Sequence, residues 1–251
     1  MKRLFFLGIM VILGLAGGVA YGQFSDYGVR ASPGLATTAD DLGTKAPILG
    51  ATIGGYVNYT FESSENVMAD VFYLQSGLNL TRRGSSFEEN YESASILPIR
   101  TGHQHIYYLQ LPILACFHFE LPIRQRGHVV GFFLGPALNL GLFGSWHERI
   151  VTPGYGSDHS VNYDEKGNLF DHAKRFDLSA LLGVTYEYRD FVFSLYSDIG
   201  FFATTENDDI MSLIANANAV AAGNSAGEVR KVPGGHNAAY LLSVSYRLGS
   251  F

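Results

Sequence analysis

The sequence is poor in cysteine, in charge and in long apolar runs. Cys116 is the only cysteine among 251 residues, so an intramolecular disulfide framework is excluded. Lys and Arg number 17 against 23 Asp and Glu, and this acidic balance gives no electrostatic attraction toward nucleic acid. After residue 22 the sequence has no uncharged apolar run of the length that a membrane-spanning helix needs. These shortages argue against a disulfide-stabilised domain, a nucleic-acid-binding protein and a helical membrane protein.

The N-terminal residues have the pattern of a secretory signal peptide. Lys2 and Arg3 precede an uncharged apolar run that ends at Ala16, and small residues follow up to Gly22. The apolar run is shorter than the roughly 20 residues of a membrane-spanning helix, which disfavours a retained anchor. We therefore predict a signal peptide over residues 1–22, followed by one domain over residues 23–251. Without the two basic residues of the signal peptide, the formal net charge is about −8.

Aromatic residues and a two-residue periodicity are what the sequence has in abundance. It contains 15 Tyr, 18 Phe and 29 Gly, and apolar side chains alternate with small or polar ones, which is the period of a β-strand. Several alternating segments exceed the usual globular strand of about five or six residues, as tilted strands that cross a bilayer would. The eight predicted segments are 27–36, 47–61, 70–82, 104–119, 128–144, 176–188, 191–202 and 238–248.

The connections between these segments alternate between short and long. The second and third segments, the fourth and fifth, and the sixth and seventh are joined by short turns. Short turns on one side and long loops on the other are the layout of outer-membrane barrels, whose short turns lie in the periplasm. We therefore predict an all-β fold, namely an eight-stranded antiparallel up-and-down transmembrane β-barrel. The long loops are predicted at 37–46, 83–103, 145–175 and 203–237.

The direction of the apolar phase separates a membrane barrel from a soluble one. A soluble eight-stranded barrel, such as a lipocalin, alternates in the same way but with its apolar side chains inward. Here the polar phase is rich in small residues, such as Gly28, Ser32 and Gly34, which suit the crowded interior of a narrow barrel. Aromatic residues gather at segment ends in the apolar phase, as they do at membrane interfaces. Both features favour an apolar face toward lipid, with a soluble ligand-binding barrel as the alternative.

Five short motifs along the segments are similar to those of a known family. They are Tyr27–Ala31, Leu74–Leu78, Tyr108–Leu114, Leu182–Glu187 and Val244–Arg247. With them the chain resembles the PorT-like family of small outer-membrane β-barrel proteins, a group of the porin superfamily. Gly77 and Gln110 stand where that family often carries Glu. The resemblance implies an outer-membrane location and a barrel. It implies no catalytic residues and does not establish a part in protein secretion, and we predict no cofactor.

Charged residues in the polar phase would face the barrel interior. Buried charges need partners, and the first, sixth, seventh and eighth segments are contiguous in a closed barrel, so their charges could meet in a buried network. We interpret this network as structural, because an eight-stranded barrel is just wide enough to be filled by its own side chains. The alternative is a polar path for protons or ions. The network residues are Arg30, Asp177, Glu187, Asp198 and Arg247, with Gln75, Gln110, Tyr196 and His118 as possible partners.

Residues near the long loops are weaker candidates for chemistry. His103 and His105 are two residues apart and therefore on one face of a strand, where a histidine from another loop, such as His147, could complete a surface metal site. An incidental pair is the simpler interpretation. Ser145, His147 and Glu148, at the edge of a predicted loop, are the nearest approach to a hydrolytic set.

The predicted function is that of a non-enzymatic outer-membrane protein with a structural role or a surface-binding role through its long loops. Expected partners are outer-membrane lipid, the outer-membrane assembly machinery and an extracellular or envelope ligand, and no nucleic acid. One alternative is a barrel enzyme, either a lipid hydrolase or acyltransferase or a protease, that uses the loop histidines. Another is a passive small-solute porin. The apolar stretch 210–222 in the last loop is predicted to form a short helix at the rim or in the lumen.

Overall fold

A computed structural model shows how the chain folds. It describes residues 22–40, 43–44, 46–61, 71–89, 99–122, 127–152, 161–171, 175–203 and 236–250. The predicted signal peptide, apart from Gly22, and the stretch 210–222 lie outside the described residues. Within the described ranges, no helix is long and apolar enough to cross a membrane.

Ten β-strands and one short 3-10 helix make up the described chain. The alternation of apolar side chains with small or polar ones suits strands whose two faces lie in different surroundings. The strands are β1 (Gly22–Asp40), β2 (Gly43–Thr44), β3 (Ala46–Phe61), β4 (Phe72–Glu89), β5 (Ile99–Glu120), β6 (His128–Thr152), β7 (Val161–Asn168), β8 (Phe176–Tyr188), β9 (Phe191–Ala203) and β10 (His236–Ser250). The 3-10 helix spans Leu169–Asp171.

Eight of these strands close into an antiparallel barrel. The pairing runs β1-β3-β4-β5-β6-β8-β9-β10, and β10 pairs again with β1. Closure gives each barrel strand two neighbours, so no backbone donors or acceptors are left along an open edge inside hydrocarbon. β2 pairs with the end of β1, and β7 pairs with the last residues of β6, both outside the ring. The predicted eight-stranded antiparallel up-and-down barrel is confirmed.

The apolar phase of the barrel strands points away from the barrel axis. Leu49, Leu182 and Leu195 are about 60% exposed, whereas polar side chains of the other phase, such as Thr52 and Asn139, are buried. A water-soluble protein rarely exposes so large a continuous apolar surface. The outward face is therefore the lipid face, which excludes the soluble ligand-binding barrel.

Aromatic side chains form a belt around the short-turn end of the barrel. From Phe24 to Phe132 the rings of successive contacts have centroids 4.8–5.7 Å apart, within the range of favourable aromatic pairs. The contacts resume at Tyr186 and run to Tyr246. Such belts lie at membrane–water interfaces. We define the aromatic belt as Phe24, Tyr59, Phe61, Phe72, Phe117, Phe132, Tyr186, Phe191, Phe193 and Tyr246.

The strands extend further toward the long-loop end than the sequence indicated. β4 continues to Glu89 and β5 begins at Ile99, so much of the predicted loop 83–103 is strand. β6 continues to Thr152 and forms a hairpin with β7, where a loop over 145–175 was expected. The predicted boundaries were wrong here because they followed apolar alternation. The backbone hydrogen bonds of a strand ladder need no such alternation.

Gly77 lies at a close approach of β3 and β4. A Cβ at this inward position would be 2.2 Å from the carbonyl oxygen of Gly55. We expect Gly77→Ala to lower the free energy of unfolding by about 1–3 kcal/mol, because overpacking forces the strands apart. Urea unfolding in detergent micelles measures this change.

Gly55→Ala is the matched control for Gly77→Ala. Its Cβ would point outward, with the nearest atom 3.5 Å away at the carbonyl oxygen of Gly28. This is an ordinary contact, so the urea midpoint should change little. Equal losses in the two variants would contradict the role given to the close approach at Gly77.

Candidate functional site

A network of polar side chains fills the lumen at the short-turn end. Arg247 lies between two carboxylates, with its Nη2 atom 3.1 Å from Glu187 Oε2 and its Nε atom 3.5 Å from Asp26 Oδ1. Two arginines, Arg30 and Arg247, and two carboxylates balance in charge here, so this network carries no net formal charge. We define the short-turn cluster as Asp26, Arg30, Asn58, Gln75, Glu187 and Arg247.

Two amide side chains connect Arg30 to the rest of the short-turn cluster. Asn58 Nδ2 donates to Asp26 Oδ1 at 2.8 Å, and Gln75 Nε2 donates to Asn58 Oδ1 at 2.8 Å. Arg30 Nη2 in turn donates to Gln75 Oε1. A cavity of about 30 Å³ lies beside these groups, which is room for a water molecule and little more. The cluster is therefore a packed hydrogen-bonded network.

A second polar network lies nearer the long-loop end and centres on a fully buried arginine. Arg83 Nη2 donates to Asp198 Oδ2 and to Asn139 Oδ1. Its Nη1 atom is 3.8 Å from Asp177 Oδ2. Gln110 Nε2 donates to Asp198 Oδ2 at 2.8 Å and to Asn139 Oδ1 at 3.0 Å. We call these five residues the Arg83 cluster: Arg83, Gln110, Asn139, Asp177 and Asp198.

The charges of the Arg83 cluster are removed from water almost completely. The side chains of Arg83, Asp177 and Asp198 are 0%, 2% and 1% exposed. The Arg83 guanidinium also lies 5.4 Å from the ring centre of Tyr108, within the distance of a cation–π contact. Desolvation on this scale is costly unless each charge keeps its partners. Removal of any one of these charges would therefore leave a buried charge without its partner.

The predicted network residues therefore lie in two groups. Asp177 and Asp198 both contact Arg83, while Glu187 contacts Arg247 and Arg30 is joined to that group through the two amides. The arginine that unites the aspartates was missed, because the predicted third segment ended at residue 82. Arg83 continues the alternation of inward residues Gln75, Asn79 and Thr81 along β4, and this alternation could have identified it as an inward residue.

The possible partners from the sequence are also placed. Gln75 and Gln110 belong to the two networks. Tyr196 packs among apolar residues between the networks. The ring centroid of His118 is 5.4 Å from that of Tyr73 near the short-turn end. Each glutamine thus belongs to one of the two polar networks, and Tyr196 lies between the networks.

An apolar layer separates the two polar networks. Along β8, Leu181 lies between Asp177 and Glu187, and along β5, Leu114 lies between Gln110 and the short-turn end. The side chains of the layer pack against one another and are at most 6% exposed. Such a layer leaves only a few buried hydroxyls between the two networks, in the Ser32–Ser243 and Thr52–Thr81 hydrogen bonds. Its large members are Leu114, Phe133, Leu181, Tyr196 and Leu241.

The lumen is covered at the long-loop end by residues that follow the β6–β7 hairpin. Leu169, in the 3-10 helix, is buried against Ile106 and Tyr108, with Trp146 and Phe170 packed around them. Inward side chains of the barrel wall and the hairpin thus form one small core above the Arg83 cluster. This core packs the residues that follow the hairpin against the barrel wall.

The outward face of β5 and β6 changes from apolar to polar beyond one aromatic pair. The rings of Tyr107 and Phe143 stack with centroids 4.4 Å apart. Beyond this pair the β5–β6 ladder continues to Ile99↔Val151. The next outward side chains on β5 are two histidines. The sheet formed by β4, β5, β6 and β7 therefore rises past the apolar face of the barrel.

The predicted histidine pair lies on this rising sheet beside a third histidine. The ring centroid of His103 is 5.2 Å from that of His105 and 5.2 Å from that of His147. Arg82 Nη2 is 3.2 Å from His105 Nδ1, and His147 Nε2 is 2.6 Å from Asp164 Oδ1. In the described strands, no three His, Cys, Asp or Glu side chains are already arranged around a metal position.

The residues of the predicted hydrolytic set lie within a strand. Ser145, His147 and Glu148 are part of β6, which continues to Thr152 in a ladder with β7, so the expected placement at a loop edge was wrong. The acidic side chain in contact with His147 is Asp164, which is 17 residues away in sequence and comes close only through the β6–β7 ladder, which was not predicted.

Comparison with known proteins identifies the family. Residues 6–206 match the family described as outer membrane protein beta-barrel domain. Two crystal structures of Ail, the attachment invasion locus protein of Yersinia pestis, one in complex with the heparin analogue sucrose octasulfate, are 11% identical to the chain. They cover 90% of this chain and 100% of their own, with TM-scores of 0.37 and, for the complex, 0.33. Similarity at this level supports no inference from Ail, and no curated protein matches the chain. The family match covers most of the sequence, and the chain therefore belongs to the outer membrane protein beta-barrel domain family and is located in the bacterial outer membrane.

Proposed function

We propose that the protein is a non-enzymatic, non-conducting outer-membrane scaffold that presents a β-sheet at the cell surface for binding. The observation that carries this proposal is the continuation of the β4–β7 sheet past the Tyr107–Phe143 pair. On β5 alone the residues from Ile99 to His105 extend about 20 Å at the usual rise per residue of a strand. Because the short turns of such barrels lie in the periplasm, this sheet is extracellular.

The packing of the lumen supports a scaffold role over transport. Two polar networks, the apolar layer between them and the small core around Leu169 occupy the barrel from one end to the other. A passive porin keeps an open aqueous lumen instead. The same packing holds the extracellular sheet rigidly, and rigid scaffolds with exposed connections are common in recognition.

The proposal also covers the group within the family to which the protein belongs and the removal of a signal peptide during export. The five motifs from Tyr27–Ala31 to Val244–Arg247 favour a PorT-like protein. Residues 1–22 act as a signal peptide that is removed on export, and the assembly machinery then inserts the barrel into outer-membrane lipid. A surface-exposed ligand of the extracellular sheet is the remaining partner.

Cysteine labelling on intact cells tests the proposal. Lys166→Cys, on the exposed edge strand β7, should react with a bulky membrane-impermeant maleimide, and the attached group should then lower retention of the cells on a panel of immobilised glycans and matrix proteins. Asp190→Cys, in the β8–β9 turn, is the matched control and should not react on intact cells. The native Cys116 is buried and does not interfere.

Two outcomes would contradict the proposal. Labelling of Asp190→Cys in preference to Lys166→Cys would mean that the sheet faces the periplasm. Unchanged retention on every surface of the panel after complete labelling of Lys166→Cys would mean that the β6–β7 hairpin takes no part in binding.

A further inference from the structure

The histidines on the extracellular sheet lie where solvent reaches them. His103 and His147 are a directly opposed pair on neighbouring strands, in the register His103↔His147. The side chains of His147 and Asp164 are 40% and 62% exposed. Their position beyond the Tyr107–Phe143 pair places them outside the apolar face of the barrel. They are therefore accessible to a dissolved ion at the cell surface.

The spacing of the two rings matches the spacing that a shared metal ion requires. A metal–nitrogen bond of about 2.1 Å, with about 1.1 Å more to the ring centre, separates two imidazole centroids by about 5.2 Å at a tetrahedral angle. The His103 and His147 centroids are 5.2 Å apart. The site requires a rotation of the His103 ring about its side-chain bonds, and only as much rotation of His147 as keeps its Nε2 atom on Asp164; the strands need not move.

The surroundings of His147 favour metal binding at one of its two nitrogens. Its Nε2 atom lies 2.6 Å from Asp164 Oδ1. A carboxylate only accepts hydrogen bonds, so Nε2–H is the donor, and the neutral imidazole that binds a metal then presents its lone pair at Nδ1. A carboxylate on the second nitrogen of a metal-binding histidine orients the ring and increases its basicity. Asp164 comes from β7, so the β6–β7 hairpin supplies this support.

His105 is a poorer ligand than His147, although its ring is equally close to His103. Its Nδ1 atom is 3.2 Å from the Arg82 guanidinium, and a fixed positive charge at this distance disfavours a cation nearby. His147 also has Lys166 as its partner in the β6–β7 register, but its ring contacts a carboxylate whereas that of His105 contacts a guanidinium. The pair on β5 and β6 is therefore the better site.

We propose that His103 and His147 together bind one divalent transition-metal ion of the type preferred by imidazole, Zn²⁺, Ni²⁺ or Cu²⁺. Water occupies the remaining coordination positions, and Asp164 orients His147. This inference goes beyond the proposed binding role of the sheet and does not depend on it. A cell-surface ion site can exist whether or not the hairpin binds a macromolecule.

Titration calorimetry of the folded barrel in detergent, purified without a histidine tag, tests the site with Zn²⁺ and Cu²⁺ alone. Binding of one ion per chain is expected. His103→Gln and His147→Gln should each weaken it at least about tenfold, and Asp164→Asn should weaken it about 10–100-fold, the usual effect of removing a carboxylate behind a ligand. His105→Gln should leave the affinity within about threefold.

His128→Gln is the matched control, because His128 lies at the opposite end of the barrel and contacts Tyr186. Its metal affinity should equal that of the unchanged protein. An altered gel shift on boiling would identify any variant that failed to fold. For Cu²⁺, the electron paramagnetic resonance spectrum should show two coordinated imidazoles in the unchanged protein and one in His103→Gln.

Three results would overturn the assignment. The first is no binding of either ion to a correctly folded barrel. The second is equal affinity in the unchanged protein and His103→Gln. The third is a larger loss in His105→Gln than in His147→Gln, which would move the site to the β5 pair. None of these results bears on retention of cells through the hairpin, so failure of this site and failure of the proposed binding function are distinguishable.

Discussion

Arg83→Met should lower the free energy of unfolding by about 3–5 kcal/mol, because it leaves two buried carboxylates without their counter-charge. Asp177 and Asp198 are nearly inaccessible to water and both face the Arg83 guanidinium. Methionine is unbranched and uncharged and replaces the aliphatic part of the arginine side chain, so most of the loss is electrostatic. Urea titration of the barrel in lipid vesicles, followed by the gel shift between unboiled and boiled samples, measures the change.

Arg82→Met is the matched control for this prediction. Arg82 is the preceding residue on β4, points outward and contacts His105, so its replacement should change stability by less than about 1 kcal/mol. The triple variant Arg83→Met, Asp177→Asn, Asp198→Asn removes the charges together and should recover most of the loss, since an uncharged buried network of similar shape can be nearly neutral. Equal effects of Arg83→Met and Arg82→Met would refute the electrostatic account.

The unchanged barrel should not carry protons across a membrane, but a variant of its apolar layer should. Leu114, Leu181 and Leu241 come from three strands and are at most 2% exposed. Their replacement together by serine would place hydroxyls between the short-turn cluster and the Arg83 cluster. Hydrophobic constrictions exclude water and ions, so a polar replacement should admit both.

Vesicles that contain a pH-sensitive dye and a pH gradient measure the effect. Vesicles with the unchanged protein should keep the gradient as long as vesicles without protein, and those with the triple serine variant should lose it. Leu182→Ala with Leu242→Ala, on the lipid face of two of these strands, β8 and β10, is the control and should keep the gradient. Rapid loss of the gradient with the unchanged barrel would show that the layer does not seal the lumen.

The barrel itself could be predicted from the sequence because lipid imposes a strict pattern on its strands. Each of the eight predicted segments corresponds to one barrel strand. In the hydrocarbon region an outward side chain must be apolar, and the inward side chain next to it must fit a narrow lumen. These two requirements produce the alternation of apolar with small or polar residues from which the strands were predicted.

The strand ends could not be predicted in the same way. Beyond the Tyr107–Phe143 pair the outward residues face water, so they are free to be polar and the alternation disappears. Strand β7, Val161–Asn168, carries Asp164, Glu165, Lys166 and Gly167, which is typical of a turn. Its pairing with β6 is decided by the ladder and by the core around Leu169, and neither is visible in local sequence.

The partition of the charged network was hidden for a related reason. Strand contiguity correctly suggested that Asp177 and Asp198 could lie near each other, but height along the barrel axis decides which charges meet. That height depends on the stagger of every strand pair around the ring. A segment cut one residue short was enough to omit Arg83, the residue on which both aspartates depend.

The uneven distribution of rings between the two ends of the barrel bears on how the protein responds to membrane thickness. In the described residues, the aromatic belt nearly encircles the short-turn end with ten rings, whereas the outward rings at the other end are fewer: Tyr107, Phe143, Phe176, Phe201 and Tyr240. A bilayer that is thicker or thinner than the apolar face imposes a mismatch that one interface must absorb. The larger belt is the stronger anchor, so the leaflet at the long-loop end adjusts, and bilayer thickness then sets how far the histidines stand above the lipid headgroups.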